Sequence, residues 1–160
     1  MEYPKILVGA PVCGHYEFCI DRYLDVLKNI DYPNYEVLLV DNTDNPAFFE
    51  KLKELVKDTK INVIRAGHEE SSIKMKMIIG RNLLREKALK EGFDYFFNLD
   101  QDVIPPLDVL KRLVSHKLDI VTGIYHSDVV INGKVDAMPV VYDYFSEDEI
   151  KRMKMMSKDE

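Results

Sequence analysis

Cysteine is scarce in this sequence, with two residues among 160. Cys13 lies near a predicted strand end and Cys19 lies inside a predicted helix close by, so we do not expect a structural disulfide between them. A chain without a disulfide framework suits a reducing compartment. We therefore expect a cytoplasmic protein.

Long apolar runs and basic patches are missing as well. The sequence has neither an apolar run of about 18 residues nor a charged amino-terminal region followed by a shorter apolar stretch, so it predicts no transmembrane segment and no secretory signal. The formal net charge is −6, and no basic stripe interleaved with aromatic residues is present, which argues against a nucleic-acid partner. With 46% apolar and 31% charged residues, the chain is typical of a globular domain.

The most informative stretch covers residues 93–106, FDYFFNLDQDVIPP. It begins as an aromatic and aliphatic run, which predicts a strand buried on both faces of a parallel sheet, and then turns acidic. In an extended backbone, Asp100 and Asp102 point the same way and Gln101 points the other. Two carboxylates at a strand end suit Mg²⁺ or Mn²⁺. The alternative is a solvated turn, since one Asp-x-Asp pair is a weak motif by itself.

Strand and helix patterns alternate along most of the chain. Besides the central stretch, strands are predicted at 5–12, 35–40, 61–65 and 119–125. Helices are predicted at 17–30, 45–58, 73–90, 105–116 and 147–156. The dipeptide Asn132-Gly133 between two β-prone runs predicts a hairpin near the carboxyl end. The pattern indicates an α/β fold, a three-layer α/β/α domain with a mostly parallel sheet and a small antiparallel hairpin.

Three segments together resemble the amino-terminal, nucleotide-sugar-binding part of GT-A fold glycosyltransferases, family 2 and its relatives. They are the opening strand Ile6–Val12, the second strand ending Leu38–Thr43, and Gly80-Arg81-Asn82 before Asn98–Asp102. The resemblance covers roughly residues 4–125 and is more specific than any single motif. It implies a single GT-A-like domain over 1–160, with a nucleotide-binding half at 1–102 and a short, incomplete acceptor half at 103–160.

The resemblance implies how the donor nucleotide binds. Pro11, Val12 and Asp41 would line the base and ribose pocket, and Arg81 would position the nucleotide through its planar guanidinium. Two alternatives stay open from the residues alone. Asp41 could form an Asx-type turn at the strand end. Arg81 could be a helix-surface cation paired with Glu86 or another nearby acid.

The same resemblance implies a metal site in the acidic turn. Asp100 would lie near the ribose and the metal, and Asp102 would bind the Mn²⁺ or Mg²⁺ that bridges the diphosphate. A cation held there would stabilise the charge that develops on a nucleoside diphosphate leaving group.

Family members usually continue into an acceptor region with a metal-binding His and, in inverting enzymes, a catalytic carboxylate. His126 follows the last predicted strand and could serve the metal, but a lone His there is commonly a surface residue. The pair Glu147-Asp148 is similar to the one that carries the base in many inverting members, which would make Asp148 catalytic. A capping box beginning at Ser146 explains the same residues.

The function expected is therefore metal-dependent transfer of a sugar from a UDP- or GDP-linked donor to a sugar, lipid or protein acceptor. The alternative is a nucleotide-sugar-binding module, or one subunit of an assembly or homo-oligomer, without catalysis of its own. A sugar-phosphate nucleotidyltransferase ranks third, because it normally has a Gly-rich basic loop where this chain has Pro11–His15. The segment 151–156, KRMKMM, suits either peripheral contact with the inner face of a membrane or a packed helix end.

Overall fold

A computed structural model describes residues 3–67, 72–124, 126–131 and 134–139. Contacts divide the chain into two units, Met1–Val121 and Thr122–Glu160. The expectation of one domain over residues 1–160, split into halves at Asp102, stays a prediction.

The first unit is an alternation of strands and helices. Its four strands form a parallel sheet in the order β3-β2-β1-β4. The elements in chain order are β1 Ile6–Val12, α1 Ile20–Asn29, β2 Tyr35–Asp41, α2 Pro46–Val56, β3 Ile61–Arg65, α3 Ile73–Lys90, β4 Tyr95–Asn98 and α4 Val109–Ser115. A 3₁₀ helix, Gly14–Cys19, precedes α1.

Helices cover both faces of this sheet. On one face, Ile6 and Val8 of β1 pack into a buried cluster with apolar residues of α1, α2 and α4. On the other, Leu7 packs with Leu84 and Ala88 of α3. This arrangement follows from period-two alternation in the strands and from apolar helix stripes. The predicted α/β class with a layered, parallel sheet is confirmed.

The register of the sheet leaves its carboxyl edge uneven. Pairing of β1 with β2 runs from Ile6 opposite Tyr35 to Val12 opposite Asp41. Pairing of β1 with β4 stops at Gly9 opposite Asn98. Strand β1 therefore continues beyond the last residue that pairs with β4, and the chain after β4 turns beside the free end of β1.

Local capping fixes the ends of the two longest helices among the described residues. Asn45 caps α2 through a bond of 2.9 Å from the Ala47 amide to its side chain. Ser72 caps α3 in the same way, accepting from the Met75 amide at 3.3 Å. Gly92, with φ of 65°, follows the end of α3 in the left-handed region that glycine tolerates.

Two predictions near β4 are wrong, one about burial and one about where a helix begins. The strand is not buried on both faces, because its residues alternate between half-buried and exposed, and within the described ranges it pairs with β1 alone. Helix α4 begins at Val109 and not at Pro105. The segment before it is held by the Asp31 amide, which donates to the Leu107 carbonyl at 2.8 Å, so a tertiary bond replaces the first helical turn.

The strand predicted at 119–125 is also absent over its described part, 119–124. Ile120 and Ile124 are exposed there. A β-prone sequence forms a strand only where a neighbouring strand can pair with it.

The second unit contains the predicted hairpin. Strand β5, His126–Ile131, pairs antiparallel with β6, Lys134–Pro139. The last pair is Ile131 opposite Lys134, which leaves a two-residue connection, as the Asn-Gly signal predicts. The predicted helix at 147–156 lies outside the described residues.

Candidate functional site

A cleft of about 530 Å³ opens where β1, β2 and β4 end. Its volume falls in the range of about 300–1,000 Å³ that is usual for small-molecule sites. Five of the residues singled out from the sequence line it: Pro11, Val12, Arg81, Asp100 and Asp102. The carboxyl edge of a parallel sheet is where α/β proteins generally bind ligands.

The acidic turn presents both of its carboxylates at this cleft. Asp100 and Asp102 are exposed, as expected, but the backbone there is not extended. The Val103 amide donates to the Asp100 carbonyl at 3.0 Å, which closes a turn over these residues. Strand alternation therefore predicted correctly that the two carboxylates lie on the same side of the chain, but a turn and not an extended strand places them there.

Asp100 is held from two directions. Its Oδ1 accepts from Asn98 Nδ2 at 3.1 Å and lies 3.5 Å from Arg81 Nη2. Asp100 and Arg81 are each about half exposed, with side-chain values of 51% and 49%, so both remain accessible to a ligand. Of the alternatives for Arg81, pairing with a neighbouring acid is observed, and the acid is Asp100.

Gln101, between the two carboxylates, is buried at 4% exposure. Its Oε1 accepts from the Cys13 amide at 2.9 Å, and its Nε2 donates to the Tyr16 carbonyl at 3.0 Å. No role was predicted for this residue from the sequence. The signal was available, because the side chain opposite two exposed carboxylates points inward, where an amide needs partners.

Helix α3 brings Arg81 to the cleft through close packing of its neighbour Gly80. A Cβ at Gly80 would lie 3.1 Å from both Pro11 Cγ and Asn42 Oδ1. Glycine therefore lets the helix approach the end of β1 closely.

Asp41 lies in a different place from the other predicted residues. It ends β2 and is buried, and it lines a smaller cavity of about 60 Å³ with Arg65 and Lys76. Its Oδ1 accepts from the Thr43 amide at 2.9 Å, which is the Asx-type turn considered above. Among the described residues, its Oδ2 has no hydrogen-bond partner, and it lies 3.7 Å from Arg65 Nε. Burial raises the pKa of this carboxyl, although the Thr43 bonds and Arg65 oppose the shift.

The small cavity and the large cleft share a wall, formed by Asn42, Thr43, Asp44 and Lys76. Lys76 is buried, and its Nζ binds Asp44 Oδ1. No role was predicted for this lysine from the sequence. It belongs to the buried face of α3, where every fourth residue points inward: Lys76, Gly80, Leu84 and Ala88.

The donor set suits a hard divalent cation that is shared with a ligand. Within the described ranges, no group of three or more His, Cys, Asp or Glu residues could hold a metal ion by itself. Asp100 and Asp102 supply carboxylate oxygens, the ligand type that Mg²⁺ and Mn²⁺ prefer, and leave room for phosphate oxygens and water in a shell of about six.

Both cysteines are free and lie at the edge of this site. Cys13 lines the cleft, and burial together with the negative charge of Asp102 raises the pKa of the Cys19 thiol. A raised pKa makes a thiol less reactive. The expectation that no disulfide joins them is confirmed.

Two predicted residues of the acceptor half cannot be placed in the site. The backbone of His126 begins β5, and Asp148 lies outside the described residues, as does the segment 151–156. Of the helices that are described, none is both long and apolar enough to cross a membrane.

Comparison with known proteins assigns the family. No curated protein matches the chain. Residues 11–157 match the sequence profile of Glycosyl transferase family 2, which is well over half of the 160 residues. The match includes both the cleft residues of the first unit and the hairpin of the second. The chain therefore belongs to glycosyl transferase family 2.

Proposed function

We propose that this family 2 domain is a metal-dependent glycosyltransferase that moves a sugar from a UDP- or GDP-linked donor to an acceptor hydroxyl. One observation carries the proposal: Asp100, Asp102 and Arg81 line a single cleft at the carboxyl edge of the sheet. Two anionic groups for a cation, beside a cationic group for phosphate or ribose oxygens, suit a nucleoside diphosphate. The acceptor is a sugar, lipid or protein, and we propose a cytoplasmic setting in keeping with the free thiols.

In this proposal, the residues of the chain bind and orient the donor. Asp100 and Asp102 would hold Mn²⁺ or Mg²⁺, and a cation bound there would supply positive charge to stabilise the nucleoside diphosphate leaving group. Arg81, kept in place by its contact with Asp100 at 3.5 Å, donates to donor oxygens. Pro11 and Val12 provide an apolar wall for the base or ribose.

Asp41 and Asp148 complete the proposed roles. The buried Asp41 carboxylate has one oxygen without a hydrogen-bond partner in the described part of the chain. This oxygen accepts from an N–H or O–H group of the base or ribose once the wall between the small cavity and the cleft moves. Asp148 acts as the general base that removes the proton of the acceptor hydroxyl.

Calorimetry tests the metal-dependent part of the proposal. UDP and GDP are titrated in Mn²⁺ and in EDTA, and one of them should bind more tightly with the metal. Asp102→Asn should raise Kd in Mn²⁺ by about tenfold or more, equivalent to about 1.4 kcal/mol, and leave Kd in EDTA nearly unchanged. Asp21→Asn, an exposed carboxylate on α1, serves as the control. Equal affinity of the wild-type chain in EDTA and Mn²⁺ would contradict the proposal.

A further inference from the structure

One buried side chain joins the two loops that form the floor of the cleft. Gln101 lies in the acidic turn, and both of its side-chain bonds reach the loop after β1, which includes the 3₁₀ helix Gly14–Cys19. One bond joins it to the Cys13 amide and the other to the Tyr16 carbonyl. The backbone of Gln101 also takes part, since Cys19 Sγ lies 3.4 Å from its carbonyl oxygen. These contacts join residues more than 80 positions apart in sequence, and together with the bond from the Leu99 amide to the Gly9 carbonyl they fix the relative positions of the two loops.

The two loops that Gln101 joins contribute different groups to the cleft. The turn carries Asp100 and Asp102, whereas the loop after β1 continues the wall begun by Pro11 and Val12. A ligand that binds both a cation at the acidic turn and this wall must contact the two loops at the same time. Its affinity then depends on how well the distance between the loops is fixed before binding.

The amide suits this task because it is buried and both ends of it are bonded. Gln101 is 4% exposed, whereas its bonds to the Cys13 amide and the Tyr16 carbonyl are partly buried. Removing the side-chain amide would leave these two backbone groups without their bonds to Gln101, and separation of the two loops would let water satisfy them.

We infer that Gln101 is a positioning residue that couples cation binding at Asp100 and Asp102 to nucleotide binding at the wall formed by Pro11, Val12 and the following loop. The inference rests on the proposed function. It assigns a role to the residue between the two carboxylates that does not involve touching donor or metal. The quantity that reports this role is the gain in nucleotide affinity that Mn²⁺ brings, because coupling between two sites is measured by that ratio.

The test compares Kd of the better-binding nucleoside diphosphate in EDTA and in Mn²⁺ for the full chain and two variants. Gln101→Met keeps the volume of the side chain and loses both bonds, and Gln101→Ala removes the side chain. We expect the ratio of the two Kd values to fall about fivefold or more in both variants, the lower end of typical coupling between sites. Kd in EDTA should change less.

Tyr35→Phe is the matched control. It removes another side-chain bond to a backbone carbonyl, from Tyr35 Oη to Leu27 at 3.0 Å, away from the cleft. This control should lower Tm and leave the ratio unchanged. A Gln101 variant with lower Tm and an unchanged ratio would overturn the inference, because Gln101 would then act on stability alone.

The outcomes separate this inference from the function on which it rests. If the wild-type chain shows no gain from Mn²⁺, the proposed function fails and the inference fails with it. If the wild-type chain shows the gain and both variants keep it, only the inference fails. If neither variant folds, Gln101 is needed for the fold before any coupling, and the inference is overturned.

Discussion

At the scale of single residues, burial affects the pKa of the Asp41 carboxyl more than its bonding partners do. Burial raises its pKa above the ordinary value, while the Thr43 bonds and Arg65 only partly compensate. The folded chain therefore holds this proton more tightly than the unfolded chain does. Ionisation of Asp41 then costs stability, and the cost is absent below the ordinary carboxyl pKa and complete above the raised one.

A pH series of urea unfolding checks this sign. The free energy of unfolding of the wild-type chain, minus that of Asp41→Asn, should fall as pH rises from about 4, the ordinary value for Asp. Other carboxyl groups, such as Glu36 with its lowered pKa, cancel in the difference. A difference that rises with pH would mean that Arg65 and Thr43 stabilise the ionised group more than burial penalises it.

Tyr23 offers a second test on one side chain. It is fully buried on α1, and its hydroxyl donates to the carbonyl of Leu99, next to Asp100, at 2.7 Å. Tyr23→Phe leaves that buried carbonyl unpaired and should lower the free energy of unfolding by about 1–3 kcal/mol in urea denaturation. Tyr35→Phe should lose less, because Tyr35 is itself only partly buried and water can reach the bond that it makes to Leu27. Equal losses would show that burial of the tyrosine does not matter.

At the scale of elements, two glycines set how closely α3 approaches the sheet. A Cβ at Gly9 in β1 would lie 2.5 Å from the Leu38 carbonyl oxygen and 2.7 Å from Leu84 Cδ2, whereas a Cβ at Gly80 would meet its neighbours at 3.1 Å. The contact at Gly9 involves the backbone of the adjacent strand, which does not move without separating β1 from β2.

Gly9→Ala should therefore lower the free energy of unfolding by about 1–3 kcal/mol, as overpacked cores do. Gly80→Ala is the control, because about 1 kcal/mol of gained helix propensity offsets its milder contact. Chemical denaturation of both variants measures the difference. A Gly9→Ala variant as stable as the wild type would mean that α3 and β1 are less tightly packed than described.

The elements that the sequence predicted well are those with local signals. Strand β3 and helix α3 have their predicted bounds, since Ser72 begins the helix and Gly92 follows its end. The acidic turn was located by its abrupt change from apolar to charged residues. Such features depend on neighbours along the chain.

The features that escaped prediction depend on tertiary partners. Residues before Val109 bond to the end of α1 through Leu107 and Asp31, which no pattern around Pro105 reveals. Residues 119–124 are apolar enough for a strand, but pairing decides the outcome. Lys76 was missed because a charged residue is usually assigned to the exposed face of a helix.

At the scale of the whole molecule, donor binding and proton removal are assigned to different parts of the chain. The residues proposed to bind nucleotide and metal lie in the first unit, Met1–Val121, whereas Asp148 and the other candidate of the acceptor half, His126, belong to the second. The proposed base should therefore affect chemistry and leave donor affinity unchanged.

Asp148→Asn tests this separation. We expect Kd for the nucleoside diphosphate in Mn²⁺ to stay within error, and transfer from the best-binding nucleotide sugar to fall about 10²–10⁴-fold, the usual contribution of a general base. The assay measures donor consumption and product formation with simple acceptors. Unchanged transfer would mean that Asp148 is not the base, and the capping box would then be the remaining explanation for Ser146–Glu149.

The uneven register of the sheet also sets the depth of the site. Strand β1 runs to Val12, while its pairing with β4 ends at Gly9, so the carboxyl edge forms a step of about 10 Å at about 3.3 Å per residue. The chain after β4 continues along this step, since the Leu99 amide donates to the Gly9 carbonyl and the Gln101 side chain accepts from the Cys13 amide beyond the end of β1. One residue inserted between Asn98 and Asp100 would shift the two carboxylates by about 3 Å along the strand direction, so the number of residues between strand and turn sets the position of the carboxylates relative to the end of β1.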